Sequence, residues 1–321
     1  MITLKSVSLV RLVAVSAVLA CVGLTATASA AEIKTSANAA AAAAPTQRFE
    51  VGTMLVERHG ERGTPLILIP GLASGAWVWE GTVKKLKDTH VLYVVTLAGF
   101  DGRPAVPGEV MDQALQSLKD LITTYKIAKP VLIGHSLGGI LSIALAQQNS
   151  DLISGVIAID GLPVFPGTET MPLSQRPALA DSIKTRMAGM NQEQFADQQL
   201  QYMRGIGVLD GALAEQLAKL SSRSDPTATA EYMAEAFALD LRPGLPMIKV
   251  PVLLISPYNA PDNVAQNISE TAKTAYYRSL MAGTPKVDVV SVAPARHFAM
   301  FDQSKLVGDA IGNYLKTLGA Q

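Results

Sequence analysis

Short apolar runs punctuate the chain: Leu-Ile-Leu-Ile at 66–69, Val-Leu-Tyr-Val-Val at 91–95, Val-Leu-Ile at 131–133, and apolar-rich stretches at 153–159, 250–255 and 287–292. Each has the length of a strand. Most lack polar-apolar alternation, as expected of strands buried on both faces of a parallel sheet. Between them the apolar residues recur at helical spacing. Leu115, Leu118, Leu121 and Ile122 mark one face of a helix over 111–125. Further helices are predicted from Trp77 and Trp79 to Lys87, over 268–281 and over 306–318. Residues 49–58 predict a first strand or hairpin arm, ending in the turn His59-Gly60-Glu61-Arg62-Gly63. Strands alternating with helices predict an α/β fold, a mostly parallel sheet with helices on both faces.

The alternation stops over about 163–245. That stretch reads as helical, carries Met171, Met187, Met190, Met203 and Met233, and offers no convincing strand. It predicts an inserted helical cap above the strand ends, where ligands of open α/β sheets bind. Methionines commonly fill cores. Near a pocket mouth their flexible apolar side chains also suit an apolar acyl group.

The N-terminus carries a different pattern. Lys5 and Arg11 precede or open an apolar run over 12–24, and Ala28-Ser29-Ala30 forms a small-x-small cleavage site. Residues 1–30 therefore read as a secretory signal, which predicts a periplasmic or secreted protein. The run is shorter than the roughly 20 residues a membrane span needs, so no stable span is expected in the mature protein. The one cysteine, Cys21, lies inside this segment. Leu19-Ala20-Cys21 partly matches a lipoprotein site, the alternative processing route. Residues 31–47, rich in alanine and interrupted by Pro45, read as a linker. The domain then runs over 48–321. Across all 321 residues, 27 basic and 27 acidic ones leave the chain without net charge, and only 17% of it is charged. That balance argues against nucleic acid as a partner. The expected partner is a small, apolar acyl substrate. Oligomeric state is not legible.

The chemistry centres on Gly134-His135-Ser136-Leu137-Gly138, set between a strand and a helical run over 140–148. Strand, sharp bend and helix are the setting of a nucleophile elbow. The bend lifts a serine hydroxyl to the top of the sheet, and crowding backbone demands glycine on both sides. A serine nucleophile needs a base. Of four histidines, His135 sits inside the elbow, where its side chain diverges from that of Ser136. His59 and His90 lie in turns before or entering strands. His297, after the last predicted strand, reaches the same sheet edge as Ser136. The base needs an orienting carboxylate. Asp160 ends the strand after the elbow helix, and a buried acid there requires a partner. Asp262 follows the strand at 250–255 at a distance, with Asn259 nearer. Asp160 is favoured over Asp262. Asp240, a third choice, is expected to pair with Arg242 or to cap the return from the inserted helices. The amides of Leu72 and Leu137 are the expected oxyanion donors, Gly71 allowing close backbone approach. No metal-ligand spacing and no dinucleotide fingerprint is present, so no cofactor is expected.

Together, LILIPGLASGAWVW, VTLAGFDG, VLIGHSLGG, VPVLLIS and ARHFAMFDQ resemble the α/β-hydrolase superfamily from about Phe49 to the C-terminus. The resemblance implies Ser136 as nucleophile and His297 as base. Many members carry histidine before the oxyanion glycine; here stands Pro70. The usual acid position holds no clear aspartate. Some haloalkane dehalogenases carry the acid where Asp160 stands, but their nucleophile is an aspartate. The implied activity is that of an exported serine hydrolase cleaving a carboxylic ester through a Ser-His-Asp triad and an acyl-enzyme. Lactone, amide or peptide hydrolysis uses the same machinery. A non-catalytic binding protein on the same fold is the alternative from another class.

Overall fold

A computed structural model describes residues 44–187 and 189–319. The expected signal over 1–30, with Cys21, and residues 31–43 of the expected linker lie outside the described residues. Eight strands, β1 (Gln47–Val51), β2 (Met54–His59), β3 (Pro65–Ile69), β4 (Val91–Thr96), β5 (Val131–His135), β6 (Gly155–Ile159), β7 (Val252–Pro257) and β8 (Val287–Val292), form one sheet. Their order is β1-β2-β4-β3-β5-β6-β7-β8. β1 and β2 pair antiparallel, β2 joins β4 antiparallel, and every pairing from β4 to β8 is parallel.

The helices are α1 (Glu80–Leu86), α2 (Val110–Thr124), α3 (Leu137–Asn149), α4 (Arg176–Met187), α5 (Gln192–Tyr202), α6 (Gly211–Ser221), α7 (Pro226–Ala238), α8 (Ala260–Asn263), α9 (Glu270–Leu280), α10 (Ala299–Asp302) and α11 (Ser304–Gly319). The apolar runs lack alternation because both sheet faces are covered. Ile67, Ile69, Leu132 and Leu254 point into a core shared with α2, α3 and α9. Leu66, Leu68, Ile133 and Ile255 point into a second core shared with α1 and α11. A one-residue register slip would exchange these two sets.

One boundary differs from the sequence reading. Residues 49–58 form a hairpin around Gly52, whose φ of +55° turns the chain within two residues. Gln47 already pairs with Arg58, and the Thr46 amide donates to the Arg58 carbonyl at 2.8 Å. The extra ladder bonds extend the strand.

Helices α4 to α7 fill the interval between β6 and β7. The two ends of this insertion are tied together. The Leu241 amide donates to the Pro163 carbonyl at 2.7 Å, and Val164 bridges Asp240. Arg176, only 1% exposed, donates to the Thr168 and Leu239 carbonyls at 2.8 Å each and lies 3.5 Å from the Asp240 carboxylate. A guanidinium buried this deeply must be paired, and it can only be paired if both ends of the insertion meet. Asp240 also chelates Arg242, at 2.8 and 2.6 Å, as the sequence suggested.

Where β5 turns into α3, backbone packs against backbone. A Cβ on Gly134 would sit 2.1 Å from the Gly138 carbonyl oxygen, and one on Gly138 would sit 2.1 Å from that of Ile69. No rotamer change relieves a clash with main chain. Gly138→Ala is therefore expected to lose more than about 3 kcal/mol of stability or to fail to fold. Urea unfolding followed by circular dichroism checks this; a variant within about 1 kcal/mol of wild type would contradict it.

Candidate active site

Ser136 occupies the bend between β5 and α3 with φ 51° and ψ −116°, a strained conformation for a non-glycine residue. Its amide donates to the Ile159 carbonyl on β6 at 2.9 Å, which holds the bend against the sheet. Leu137 is the first residue of α3, so its N–H has no acceptor within the helix. Leu72 lies in the turn after β3. Gly71 brings that turn close: a Cβ there would stand 3.2 Å from the Ser136 Cβ. Ser136, Leu72 and Leu137 line one cavity.

His297 follows β8, and the polar groups of its backbone are both engaged. Its amide donates to the Ile206 carbonyl at 3.1 Å, and its carbonyl lies 3.0 Å from His135 Nε2. Ile206 belongs to a π-helical turn, Met203–Gly207, that continues α5. The next residue repeats the link, Phe298 donating to the Gly207 carbonyl at 2.9 Å. The inserted helices and the His297 loop are thus joined through main chain. On the side chain, Nδ1 lies 2.6 Å from Asp160 Oδ2. A carboxylate at Nδ1 fixes the proton there, which leaves the Nε2 lone pair free to accept one.

Asp160 directly follows β6, with φ 50°. Its amide donates to the Ile255 carbonyl at 3.0 Å. Oδ1 accepts a hydrogen bond from the Tyr277 hydroxyl on α9, so each carboxylate oxygen has a donor. Burial alone would raise the pKa of this acid. The charge and hydrogen bond of His297, with help from Lys273 and Tyr277, outweigh burial and hold the carboxyl well below the usual carboxylate range. Burial beside this carboxylate pushes the Tyr277 phenol well above its ordinary value, so it stays a donor.

The other acids lie elsewhere. Both oxygens of Asp262 accept from Arg296 at 2.8 Å, and Oδ2 also accepts from Asn259 at 2.9 Å. Arg296 in turn donates to the Arg204 and Val208 carbonyls. Asp262 thereby secures the segment next to His297 without touching it. Asp240 stays with Arg176 and Arg242. His59 and His90 do not line the Ser136 cavity. His135 does, fully buried between the Gly71 turn and the His297 ring, with ring centroids 4.6 Å apart. Burial, then the neighbouring His297, push it down to about 3, so it remains neutral. Tyr277 was invisible to the sequence reading. It comes from a helix 117 residues beyond Asp160 with no motif around it; a tyrosine on the buried face of α9 was its one trace.

The cavity measures about 340 Å³. Leu162, Phe165, Met187, Met233 and Phe237 give it an apolar wall. Among the described residues no three His, Cys, Asp or Glu side chains are grouped to hold a metal ion, and no helix is long and apolar enough to cross a membrane.

The sequence pattern of the Alpha/beta hydrolase family matches residues 66–310. A (lyso)-N-acylphosphatidylethanolamine lipase of Homo sapiens is 26% identical over 149 residues, 44% of this chain and 43% of that one. A pimeloyl-[acyl-carrier protein] methyl ester esterase of Aeromonas salmonicida is 31% identical over 137 residues, 43% of this chain and 50% of that one. The matches thus span half or less of these relatives' length. Among solved structures, an enol-lactonase from Burkholderia xenovorans LB400 superposes with a TM-score of 0.67 at 20% identity, covering 84% of this chain and all of that one. An esterase from Thermogutta terrifontis gives 0.64 at 21% identity, covering 85% and 99%. These likenesses show a shared fold.

His135 generates a prediction about stability. Its pKa lies near 6.5 unfolded and near 3 folded, so between those values the unfolded chain binds the extra proton. Its contribution is complete above pH 6.5 and is lost as pH falls toward 3, at up to about 1.4 kcal/mol per pH unit. His135→Phe is expected to flatten the acid-side slope by about that amount. Urea midpoints from pH 4 to 8 measure it; an unchanged slope would contradict the assignment.

Proposed function

The chain belongs to the Alpha/beta hydrolase family, and on that premise we propose that it is an exported serine hydrolase cleaving a carboxylic ester through an acyl-enzyme. One observation carries the reading: the 2.6 Å contact between His297 Nδ1 and Asp160 Oδ2, in a cavity whose wall includes the strained Ser136. With its proton held at Nδ1, the imidazole has Nε2 as its acceptor nitrogen.

Ser136 Oγ attacks the ester carbonyl carbon and His297 Nε2 takes its proton. The carbonyl oxygen gains the negative charge and accepts hydrogen bonds from the Leu72 and Leu137 amides, with the N-terminal end of α3 behind them. The imidazolium carries its charge beside Asp160, which keeps its own negative charge and does not take the proton. Nε2 then gives the proton to the leaving alkoxide as the ester C–O bond breaks. Water, deprotonated by the same nitrogen, attacks the acyl carbon; the bond from that carbon to Ser136 Oγ then breaks, the imidazolium returns the proton to Oγ, and the carboxylic acid leaves. The apolar wall suits a neutral acyl group. A lactone is an ester closed on itself and needs no change of machinery; one relative by fold is named an enol-lactonase. Export rests on the charged, apolar and small-residue pattern of residues 1–30. N-terminal sequencing of the mature protein tests it, a start at Ala31 supporting the secretory reading and an acylated Cys21 the lipoprotein one.

On short p-nitrophenyl esters, Ser136→Ala is expected to remove activity above background. Asp160→Asn is expected to lower kcat by about 10³ to 10⁴, because an amide cannot hold the imidazole in the required tautomer. Asp262→Asn is expected to cost stability more than rate. Activity surviving in Ser136→Ala would overturn the proposal. Activity surviving in Asp160→Asn while lost in Asp262→Asn would overturn the choice of acid.

A further inference from the structure

Opposite the apolar wall, helix α5 supplies a polar one. Gln198, Gln199 and Tyr202 lie on the face of α5 that lines the cavity. Gln199 is 8% exposed, and among the described residues its side-chain amide makes one hydrogen-bond contact. Ser221 Oγ, fully buried on α6, lies 2.8 Å from the Ala73 carbonyl oxygen and 2.8 Å from the near atom of the Gln199 amide, placed as Oε1.

A hydroxyl has one proton. The Ala73 oxygen can only accept. If the proton went to Gln199, the Ala73 oxygen would face a lone pair at hydrogen-bond distance with nothing between them. Amide oxygen and nitrogen are distinguished by their partners, not by their shape. One assignment satisfies both contacts: the Gln199 NH₂ donates to Ser221 Oγ, and Ser221 donates to the Ala73 carbonyl. That assignment turns the Gln199 carbonyl oxygen away from Ser221. Among the described residues, no hydrogen bond is made at that end of the amide. The cavity is also short of counter-ions. Its described lining holds His135, Asp160, Tyr202 and His297 as ionisable groups, and no Lys, Arg or Glu.

We propose that Gln199 is a specificity-determining residue whose side-chain oxygen accepts a hydrogen bond from the substrate. The substrate class is then a neutral ester with a hydroxyl or secondary amide N–H on one side and an apolar body on the other. Ala73 follows the turn that carries Leu72, so the relay Gln199–Ser221–Ala73 fixes the reading group to the same backbone as the oxyanion donor. The inference rests on the ester-hydrolase reading and narrows it.

The test compares matched pairs of esters. Aryl esters of hydroxyalkanoic acids, with the hydroxyl at carbons 3 to 6, are set against their deoxy counterparts, and N-acetylaminoalkanoic esters against alkanoic ones. Hydroxyalkyl and alkyl acetates cover the alcohol side. Wild type is expected to favour the donor-bearing member at one position by about tenfold in kcat/KM. Gln199→Leu is expected to bring that ratio near one. Ser221→Ala, which leaves the amide unanchored, is expected to reduce it partway, and serves if Gln199→Leu does not fold. A wild type with no preference at any position overturns the inference, as does a preference that survives in Gln199→Leu or, where that variant does not fold, survives undiminished in Ser221→Ala. Activity that depends on Ser136 without any such preference defeats this inference alone. Activity independent of Ser136 defeats the hydrolase reading beneath it.

Discussion

The contact between Asp160 and His297 is the interaction on which the rest of the site depends. A carboxylate at the end of a buried strand is costly unless its charge is compensated. Here one oxygen meets the imidazole and the other meets the Tyr277 hydroxyl. The arrangement holds Nδ1 and its proton against the carboxylate and leaves Nε2 as the acceptor nitrogen. Its geometry is made by three strand ends. β6 supplies Asp160, β7 accepts its amide through Ile255, and the segment after β8 supplies His297. Parallel pairing brings those ends to one edge, so the sheet order itself gathers residues that are 137 positions apart.

Rigidity at His297 comes from outside the pair as well. The Ile206 carbonyl holds its amide, His135 holds its carbonyl, and Arg296 beside it is gripped by Asp262. The inserted helices therefore serve two ends at once. They wall the cavity, and through the π-helical turn after α5 they set the backbone of His297. A group aimed to within a fraction of an ångström needs this kind of support, since misplacement of about 1 Å can cost two orders of magnitude in rate. His135 also explains a residue of the elbow that the motif leaves unspecified. It sits where the strand, the Gly71 turn and the His297 loop converge, and burial keeps it neutral there.

The sheet and the elbow were legible because their causes are local. An uninterrupted apolar run means a strand covered on both faces, and Gly134 and Gly138 are required wherever backbone packs on backbone. The choice among acids was harder because it is not local. Asp160, Asp240 and Asp262 all end or follow plausible elements, and each meets a cation or an imidazole. What separates them is which loops converge, and that is set by sheet order and by where Arg242 and Arg296 stand. Tyr277 and Gln199 left almost no trace, since one is a tyrosine and the other a glutamine on helices whose pattern only requires a buried face. Their roles arise from a partner across the fold and from the number of protons a hydroxyl can give.

The central claim is that Ser136 is the nucleophile served by His297. Mapping a fluorophosphonate adduct by mass spectrometry tests it most directly. The account predicts a single adduct on the peptide containing Ser136, formed by the folded protein and abolished in His297→Ala. A folded protein that takes no label, or takes it on another residue, would contradict it.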